Sequence, residues 1–459
     1  PLRRQRQMCI RDRCTRVVSW ESSIMMKSVR TYALETINDV LNKGAYSNLK
    51  INEVLSTNNI NTVDKNLFTE LVYGTIKRKY TLDYLLKPFI KTKIKSWVRQ
   101  LLWMSLYQYL YLDKIPNHAI IHEAVDIAKK RGGFHTGNIV NGILRTVMRT
   151  ELPSFEDIDD TKKRIAIQYS LPKWIVDHWV THFGVEKTEN IARSFLEPVT
   201  TTVRANISRD SIDSIISKLE QEGYHVKKDD MLPFCLHISG MPVVNSNAFK
   251  EGYISIQDKS SMMVAYVMNL GRDDKVLDAC SAPGGKACHM AEILSPEGHV
   301  DATDIHEHKI NLIKQNIKKL KLNNIKAFQH DATEVYDKMY DKILVDAPCS
   351  GLGVLRHKPE IKYSQSQNSI KSLVELQLQI LENVKDNIKP GGTIVYSTCT
   401  IEQMENENVI YTFLKRHKDF EFEPFQNPAT GEQVKTLQIL PQDFNSDGFF
   451  ISKIKRKES

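Results

Sequence analysis

The chain has 459 residues, which suggests two to four domains at the usual size of about 100–200 residues each. Its formal net charge of +8 permits a nucleic-acid partner without requiring one. No apolar run approaches the ~20 residues of a membrane-spanning helix, and the early segment lacks the apolar stretch of a secretory signal. We therefore expect a cytoplasmic protein with no membrane partner.

The cysteine pattern argues against a structural metal and against disulfides. The seven cysteines are Cys9, Cys14, Cys235, Cys280, Cys288, Cys349 and Cys399. They form no CxxC pair, so a zinc site is not expected, and a chain of this length needs no disulfide framework. We expect reduced, mostly buried thiols, among which a reactive cysteine is still possible.

The first 24 residues show no amphipathic period and no turn chemistry. The opening PLRRQRQMCIRDR looks like a translated adapter rather than natural protein sequence. We predict residues 1–24 to be a non-native or disordered leader and leave them out of the fold. The alternative is a native basic arm that binds RNA.

Residues 25–150 are predicted to form an all-helical domain, because apolar residues recur at three- and four-residue spacing. The predicted helices are Val29–Leu41, Thr62–Arg78, Ile94–Tyr111, Ile120–Lys130 and Asn138–Met148. Three groups of basic residues accompany them: Lys77-Arg78-Lys79, then Lys87, Lys91, Lys93, Lys95 and Arg99, and finally Lys129-Lys130-Arg131. Such a surface could bind the phosphates of a nucleic acid, and a surface that only contacts solvent is an equal alternative.

Residues 151–250 are less regular, and we interpret them as a connector or small accessory module. A short helix is predicted to begin at Pro172-Lys173-Trp174. A strand is predicted over Thr200–Asn206 and a helix over Ser211–Glu222.

Residues 251–459 show alternating strands and helices, which predicts a doubly wound, mainly parallel α/β sheet. The predicted strands are Lys275–Ala279, Val300–Asp304, Ala327–His330, Lys342–Val345 and Thr393–Ser397, with a late edge strand at Phe449–Lys453. Helices are predicted from Lys286, over His306–Leu320 and over Leu373–Ile388, the last stopped by Pro390-Gly391-Gly392.

A cofactor site is indicated by the glycine-rich turn after the first of these strands. Asp278–Lys286 reads DACSAPGGK, in which Gly284 and Gly285 permit close approach of a ligand to the backbone. The turn is neither a P-loop nor a GxGxxG fingerprint. Three acids, Asp304, Asp331 and Asp346, follow the next strands. An acid at the position of Asp304 can hold ribose hydroxyls, and an acid at the position of Asp331 can hold an adenine amino group. A nicotinamide cofactor would also use an acid at the position of Asp304.

Two cysteines at the ends of predicted strands are the candidate catalytic residues. Cys349 lies in Asp346-Ala347-Pro348-Cys349-Ser350-Gly351, and Cys399 lies in Tyr396-Ser397-Thr398-Cys399-Thr400. Neighbouring strands would place both thiols beside the cofactor cleft. Carbon 5 of cytosine is a poor nucleophile until a thiolate adds to carbon 6, and the reaction also needs a carboxyl group at the ring edge and a proton acceptor. Asp346 is placed for the carboxyl role.

These motifs, DACSAPGGK, DAPCSG and STCT, resemble those of the RsmB/Sun family of RNA 5-methylcytosine methyltransferases over about residues 200–455. The resemblance implies a Rossmann-like domain that binds S-adenosylmethionine, with Cys399 as the nucleophile and Cys349 assisting product release. It also implies cofactor contacts from Cys280, Ser281, Ala282, Pro283, Gly284, Gly285, Lys286, Asp304, Asp331 and Asp346. Ala287 stands where the family commonly has Thr, which affects cofactor affinity rather than the catalytic assignment.

The N-terminal region is similar to the NusB-like RNA-binding domain. The resemblance is carried by Glu70–Thr75, Leu106–Gln108, Ile115–Ala119 and Asn138–Arg145. This fusion implies methylation of a cytosine in 16S ribosomal RNA. We expect a monomer, since nothing in the sequence suggests otherwise. A helical domain that only docks on the catalytic domain is the alternative to RNA binding.

A flipped-out base in a loop or single strand would reach the cysteines most cheaply. Further basic residues, Lys309, Lys314, Lys318, Lys319 and Lys321, are available to hold the RNA backbone. Three rival functions are left open by the sequence: the same chemistry on transfer RNA or 23S ribosomal RNA, a non-catalytic RNA-binding or assembly factor, and a small-molecule methyltransferase.

Overall fold

The computed structural model describes residues 27–198 and 200–458. The leader predicted over residues 1–24 lies outside the described residues. The multidomain fold class is confirmed: a helical N-terminal part precedes a small antiparallel sheet and a larger α/β sheet. Among the described residues, no helix has both the length and the apolar character that a bilayer crossing requires.

The N-terminal part is built from helices. They are α1 (Val29–Lys43), α2 (Ser47–Thr57), α3 (Thr62–Lys77), α4 (Lys79–Leu86), α5 (Ser96–Tyr111), α6 (Asn117–Val147), α7 (Thr161–Gln168), α8 (Lys173–Phe183) and α9 (Val185–Ser194). Side chains of Ser28 and Asn61 cap α1 and α3. The two predicted helices after residue 119 appear within α6, and Gly133, at a φ of 80°, interrupts the helical path between them.

Helices α2 and α4 were not predicted from the sequence. Helix α2 buries only Ser47, Ile51 and Val54, so its apolar stripe is too short to show a period. Helix α4 has only eight residues. Both helices form because the surrounding core covers them, which is a tertiary effect that local periodicity does not report.

The middle part forms a four-stranded antiparallel sheet. Its elements are β1 (Thr201–Ala205), α10 (Ile212–Gln221), β2 (His225–Lys228), β3 (Cys235–Ser239), α11 (Asn247–Lys250) and β4 (Ile254–Ile256). The strand order is β2-β3-β1-β4. The strand and helix predicted around residues 200–222 are present as β1 and α10.

The C-terminal part contains the larger sheet. Its helices are α12 (Lys259–Met268), α13 (Gly285–Ile293), α14 (Glu307–Leu320), α15 (Ile361–Ser364), α16 (Gln367–Val384) and α17 (Glu407–Arg416). Its strands are β5 (Lys275–Asp278), β6 (His299–Asp304), β7 (Ile325–Gln329), β8 (Tyr340–Asp346), β9 (Ile388–Thr398), β10 (Phe420–Phe422), β13 (Thr436–Ile439) and β14 (Phe449–Arg456), and β11 (Phe425–Gln426) pairs separately with β12 (Gln433–Val434).

The larger sheet has the order β10-β14-β9-β8-β5-β6-β7, and its strands from β9 to β7 run parallel. Apolar residues of these strands alternate between two cores. Helices α12, α13 and α14 cover one face, whereas α16 and α17 cover the other. This arrangement confirms the doubly wound sheet and places the carboxyl ends of β5, β6, β7, β8 and β9 along one edge.

Two sequence expectations for this sheet need correction. The late strand β14 is an interior strand, because it pairs with β9 on one side and with β10 and β13 on the other. The long helix ends at Val384 rather than Ile388, and Pro390-Gly391-Gly392 lies inside β9 instead of before it. Ile388 and Thr393 on either side pair with β8, whereas Pro390-Gly391-Gly392 lie at an irregularity in that pairing, where Gly391 has a φ of 75°.

The chain after Cys349 connects the catalytic sheet to the N-terminal helices. The Glu360 carboxylate accepts hydrogen bonds from the backbone N of Ser47 (3.0 Å) and from its hydroxyl (2.7 Å), and thereby caps α2, which has no cap of its own. Lys362 Nζ donates to the Lys77 carbonyl and Tyr363 Oη to the Ile76 carbonyl, both at 2.8 Å. A carboxylate thus meets a helix start and an amine a helix end, where burial and the nearby Lys77, Arg78 and Lys79 lower the pKa of Lys362 well below its usual value.

Replacing Glu360 by Ala is expected to lower the free energy of unfolding by about 2 kcal/mol, because the start of α2 loses its cap inside a buried interface. Urea unfolding followed by circular dichroism measures the change. The matched control is Glu53→Ala in the same helix, where an exposed pair with Lys50 should cost less than about 0.5 kcal/mol. Equal effects of the two substitutions would contradict the capping role.

Candidate active site

A cleft of about 480 Å³ opens at the carboxyl ends of the parallel strands. It is lined by Ala279, Cys280, Ala282, Asp304, Ile305, His306, Lys309, Asp331, Ala332, Thr333, Asp346, Ala347, Pro348, Cys349, Leu376, Ile380 and Cys399. The fold therefore brings the predicted acids, both predicted catalytic cysteines and part of the glycine-rich turn into one cavity. Ligands of open α/β sheets bind at this edge.

The glycine-rich turn connects β5 to α13. Gly284 has a φ of 97°, and a Cβ there would lie 3.0 Å from Ile313, so the position favours glycine. Helix α13 begins at Gly285 without a side-chain cap, which leaves its first N–H groups available to an anionic ligand. Cys280 and Ala282 face the cleft, whereas Ser281 is buried beneath the turn and the Pro283 carbonyl is held by Asn316.

Asp304 and Asp331 each use one carboxylate oxygen for a local turn. Asp304 Oδ1 accepts from the backbone N of His306 at 3.0 Å, and Asp331 Oδ1 accepts from the backbone N and hydroxyl of Thr333. The Oδ2 atoms of both acids make no hydrogen bond to any of the residues that the structure describes. Two cleft-facing acceptors on neighbouring strands fit the hydroxyl and amino donors of an adenosine group.

Asp346 is held between two donors at the end of β8. Lys286 Nζ donates to its Oδ2 and Ser397 Oγ to its Oδ1, both at 2.8 Å. Burial opposes the Lys286 ammonium, but the Asp346 carboxylate more than offsets this and raises the pKa of Lys286. Lys286 also lies 5.2 Å from the Phe449 ring centre. Lys286 is therefore held at Asp346 and does not itself line the cleft.

Asp278, which opens the glycine-rich motif, is fully buried and lies outside the cleft lining. Burial and the nearby Asp346 charge raise the pKa of Asp278 to about 7. The two acids thus differ in environment: Asp346 is paired with a lysine, and Asp278 is not.

The sulfur atoms of Cys349 and Cys399 lie 3.4 Å apart, which is hydrogen-bond distance for a thiol pair. The hydrogen bond from Cys349 lowers the pKa of Cys399, against the opposing effect of burial. The same contact, together with burial, raises the pKa of Cys349 well above its usual value. The geometry therefore favours a thiolate at Cys399 and a thiol at Cys349.

The sequence did not point to several residues of the site. His306, Thr333, Leu376 and Ile380 line the cleft without belonging to any recognised motif. Lys309, expected only as an RNA-backbone contact, lies at the cleft with Nζ 3.7 Å from Asp304 Oδ1. The sequence could have indicated this role, because Lys309 lies in the first turn of α14, which follows the strand that ends in Asp304.

Asp229, Cys235 and His237 form a second cluster, in the small sheet, with donor atoms close enough for a metal ion. Asp229 Oδ2, however, contacts Lys259 Nζ at 2.9 Å and His237 Nε2 at 2.8 Å. Although burial alone would raise it, these hydrogen bonds lower the pKa of Asp229 to about 2. The pKa of Cys235 is raised to about 12 by burial. An adjacent ammonium and an un-ionised thiol fit an ion-pair network better than a metal site.

A mainly parallel α/β sheet with a ligand cleft, acids at successive strand ends and two thiols at the rim is the arrangement expected of a methyltransferase of the kind that the sequence motifs resemble. Family models match three parts of the chain: "NusB family" at residues 27–149, "Methyltr_RsmF/B-like, ferredoxin-like domain" at residues 171–245, and "16S rRNA methyltransferase RsmB/F" at residues 265–455.

Two curated relatives are named probable ribosomal RNA small subunit methyltransferase B. The protein of Bacillus subtilis is 42% identical over 442 residues, covering 94% of this chain and 99% of the relative. That of Synechocystis is 32% identical over 445 residues, covering 94% and 100%. A solved structure titled PH0851 covers 94% of this chain and 100% of its own, with a TM-score of 0.79 and 24% identity, and shares the fold.

The chain belongs to the RsmB/F family of methyltransferases, and its cofactor is S-adenosylmethionine. Helices α1 to α6 form the NusB domain. The predicted family and cofactor are thereby confirmed.

Proposed function

We propose that this enzyme methylates carbon 5 of a specific cytosine in 16S ribosomal RNA through a covalent cysteine–cytosine adduct. The observation that carries the proposal is the pair of thiols 3.4 Å apart, in the same cleft as Asp346, whose carboxylate is paired with Lys286. Attack by a thiolate on carbon 6 is the step that makes carbon 5 of cytosine nucleophilic, and the lowered pKa of Cys399 favours that thiolate.

The residues of the site divide the reaction between them. Cys399 forms the sulfur–carbon bond at carbon 6, while the Asp346 carboxylate accepts a hydrogen bond from the amino group at the edge of the cytosine ring. S-adenosylmethionine, when bound, supplies an electrophilic methyl group for carbon 5. Loss of the carbon 5 proton to a base then allows the Cys399–carbon bond to break, and Cys349 assists that release.

The cofactor site has a residue for each part of the ligand. Asp304 would hold the ribose hydroxyls and Asp331 the adenine amino group, since each presents an oxygen to the cleft. The turn from Cys280 to Gly285, with the uncapped start of α13, would receive the carboxylate of the methionine part. Ser281 and Pro283 would contact the ligand through their backbone, so their side chains need not face the cleft, and Gly284 and Gly285 offer only backbone atoms.

Ribosomal RNA as the substrate is supported by the names of the relatives and by basic residues of the NusB domain. Lys87, Lys91, Lys93 and Lys95 are exposed, as are Lys129, Lys130 and Arg131. Arg131 lies over the half-buried Trp97 ring at 4.9 Å. Exposed cations beside an aromatic ring suit an RNA backbone and an unstacked base.

Bisulfite sequencing tests the substrate and the methylated position together. We expect purified enzyme and S-adenosylmethionine to make one cytosine of unmodified 16S ribosomal RNA resistant to bisulfite, with Cys399→Ala enzyme as the blank. Resistance in transfer RNA or 23S ribosomal RNA instead would replace the proposed substrate. Methyl incorporation without bisulfite resistance would contradict carbon 5 as the acceptor, and no incorporation with any RNA would leave a non-catalytic RNA-binding role.

A further inference from the structure

Glu405 is a fully buried carboxylate next to the catalytic cysteines, and it does not line the cleft. It lies between Cys399 and α17. Its Oε1 accepts hydrogen bonds from the backbone N of Ser350 (2.8 Å) and from Gln377 Nε2 (3.1 Å), and its Oε2 accepts from the Ser350 hydroxyl. Burying a carboxylate costs several kcal/mol unless such donors satisfy it. The fold therefore keeps a carboxylate at this position although its burial costs free energy.

The hydrogen bonds of Glu405 connect the two cysteine motifs. Ser350 directly follows Cys349, and Thr400 directly follows Cys399. The two hydroxyl oxygens are 2.9 Å apart. Because Ser350 donates its proton to Glu405, the hydroxyl of Thr400 must donate to Ser350. A continuous chain of hydrogen bonds thus runs from Thr400 through Ser350 to Glu405.

The backbone on both sides of Cys349 is fixed by the same network. Gln377 Nε2 donates to the Pro348 carbonyl at 3.0 Å as well as to Glu405. Glu405 holds the backbone N of Ser350 on the other side. Further along, the Gly353 backbone N donates to the Cys399 carbonyl at 3.0 Å, and a Cβ on Gly353 would clash with the Gly448 backbone. The loop that carries Cys349 is therefore pinned directly to the loop that carries Cys399.

We propose that Glu405 is a positioning residue that, through Ser350 and Thr400, holds the Cys349 sulfur against the Cys399 sulfur. The inference rests on the proposed function, in which Cys399 attacks the base and Cys349 assists release. It adds a residue that acts on neither substrate nor cofactor but sets the distance between the two reacting thiols.

The test uses Glu405→Gln, since a glutamine of the same shape replaces a carboxylate oxygen by an NH₂ group that cannot accept from Ser350 or Gln377. Alkylation of Cys399 by iodoacetamide is followed from pH 6 to 10 by peptide mass spectrometry in the full-length protein. Cys349→Ala is the reference for loss of the thiol contact. Glu407→Gln, two residues away at the start of α17, is the matched control.

We expect the midpoint of Cys399 alkylation to move up by about one pH unit in both Cys349→Ala and Glu405→Gln, because the thiolate loses a hydrogen-bond donor. Glu407→Gln should keep the wild-type profile. A merely structural role for Glu405 would lower the melting temperature without moving this midpoint. With RNA present, Glu405→Gln should lower kcat about tenfold at an unchanged KM for RNA and accumulate adduct.

A wild-type alkylation profile in Glu405→Gln would overturn the proposal, whether or not the profile of Cys349→Ala moves. If Glu405→Gln does not fold, Ser350→Ala removes the hydroxyl between Thr400 and Glu405 and should move the midpoint in the same direction; no movement there would equally overturn it. Alkylation needs no RNA. A wild-type enzyme that fails to methylate RNA would refute the proposed function while these profiles still decide the role of Glu405.

Discussion

Cys349→Ala enzyme incubated with RNA and S-adenosylmethionine is expected to accumulate a covalent protein–RNA adduct, visible as a slow band on a denaturing gel. Cys399→Ala should abolish both the adduct and the methylated product. The reason is the proposed division of roles, in which Cys399 makes the bond to carbon 6 and Cys349 acts only in the release that breaks it. A thiol held 3.4 Å from the attacking sulfur is close enough to act in that step.

Cys235→Ala is the control for loss of a thiol, because Cys235 is buried in the small sheet and lines no part of the cleft. It should methylate RNA at the wild-type rate and leave no adduct. Activity retained by Cys399→Ala would reverse the assigned roles. Normal turnover by Cys349→Ala without any adduct would show that release does not need the second thiol.

Asp346→Asn is expected to lower kcat about a thousandfold, because the ring edge of the base loses its carboxylate and Lys286 loses its counter-charge inside the cleft. Single-turnover methyl transfer to RNA measures the effect. The double variant Asp346→Asn/Cys349→Ala should accumulate little adduct, since the substitution slows formation of the bond rather than its release.

The matched control for this prediction is Asp341→Asn at the opposite end of β8. Asp341 also pairs with a lysine, Lys389, but lies far along the strand from the cleft edge. We expect Asp341→Asn to change kcat less than about twofold, because this ion pair lies at the other end of the strand from the cleft. A loss in Asp346→Asn no larger than in Asp341→Asn would refute a catalytic role for the carboxylate.

The part of the site that the sequence predicted consists of residues at strand ends. Parallel strands end at a common edge, so Asp304, Asp331 and Asp346 could be placed together from their positions after apolar runs alone. The two cysteines followed by the same argument, and the structure brings them into contact. Which of them attacks came from the family resemblance, because the chain pattern is the same for both.

Other features depend on partners far apart in the chain. Glu360 caps a helix 313 residues earlier, and Glu405 binds Ser350 across 55 residues. In the sequence, each of these residues is a single polar residue within a helix or turn, and nothing there indicates its distant partner. The interior position of β14 is a similar case, because a strand's own residues do not state which strands lie on either side of it.

The sequence by itself predicted the longer helices, the parallel strands of the larger sheet, the cofactor turn and the chemistry of a thiolate beside a carboxyl group, since local periodicity and short motifs encode them. Only the tertiary structure decided the contact between the two sulfurs, the pairing of Lys286 with Asp346, and the buried network around Glu405. Burial and long-range hydrogen bonds set the pKa values of these groups, and both exist only after the chain has packed.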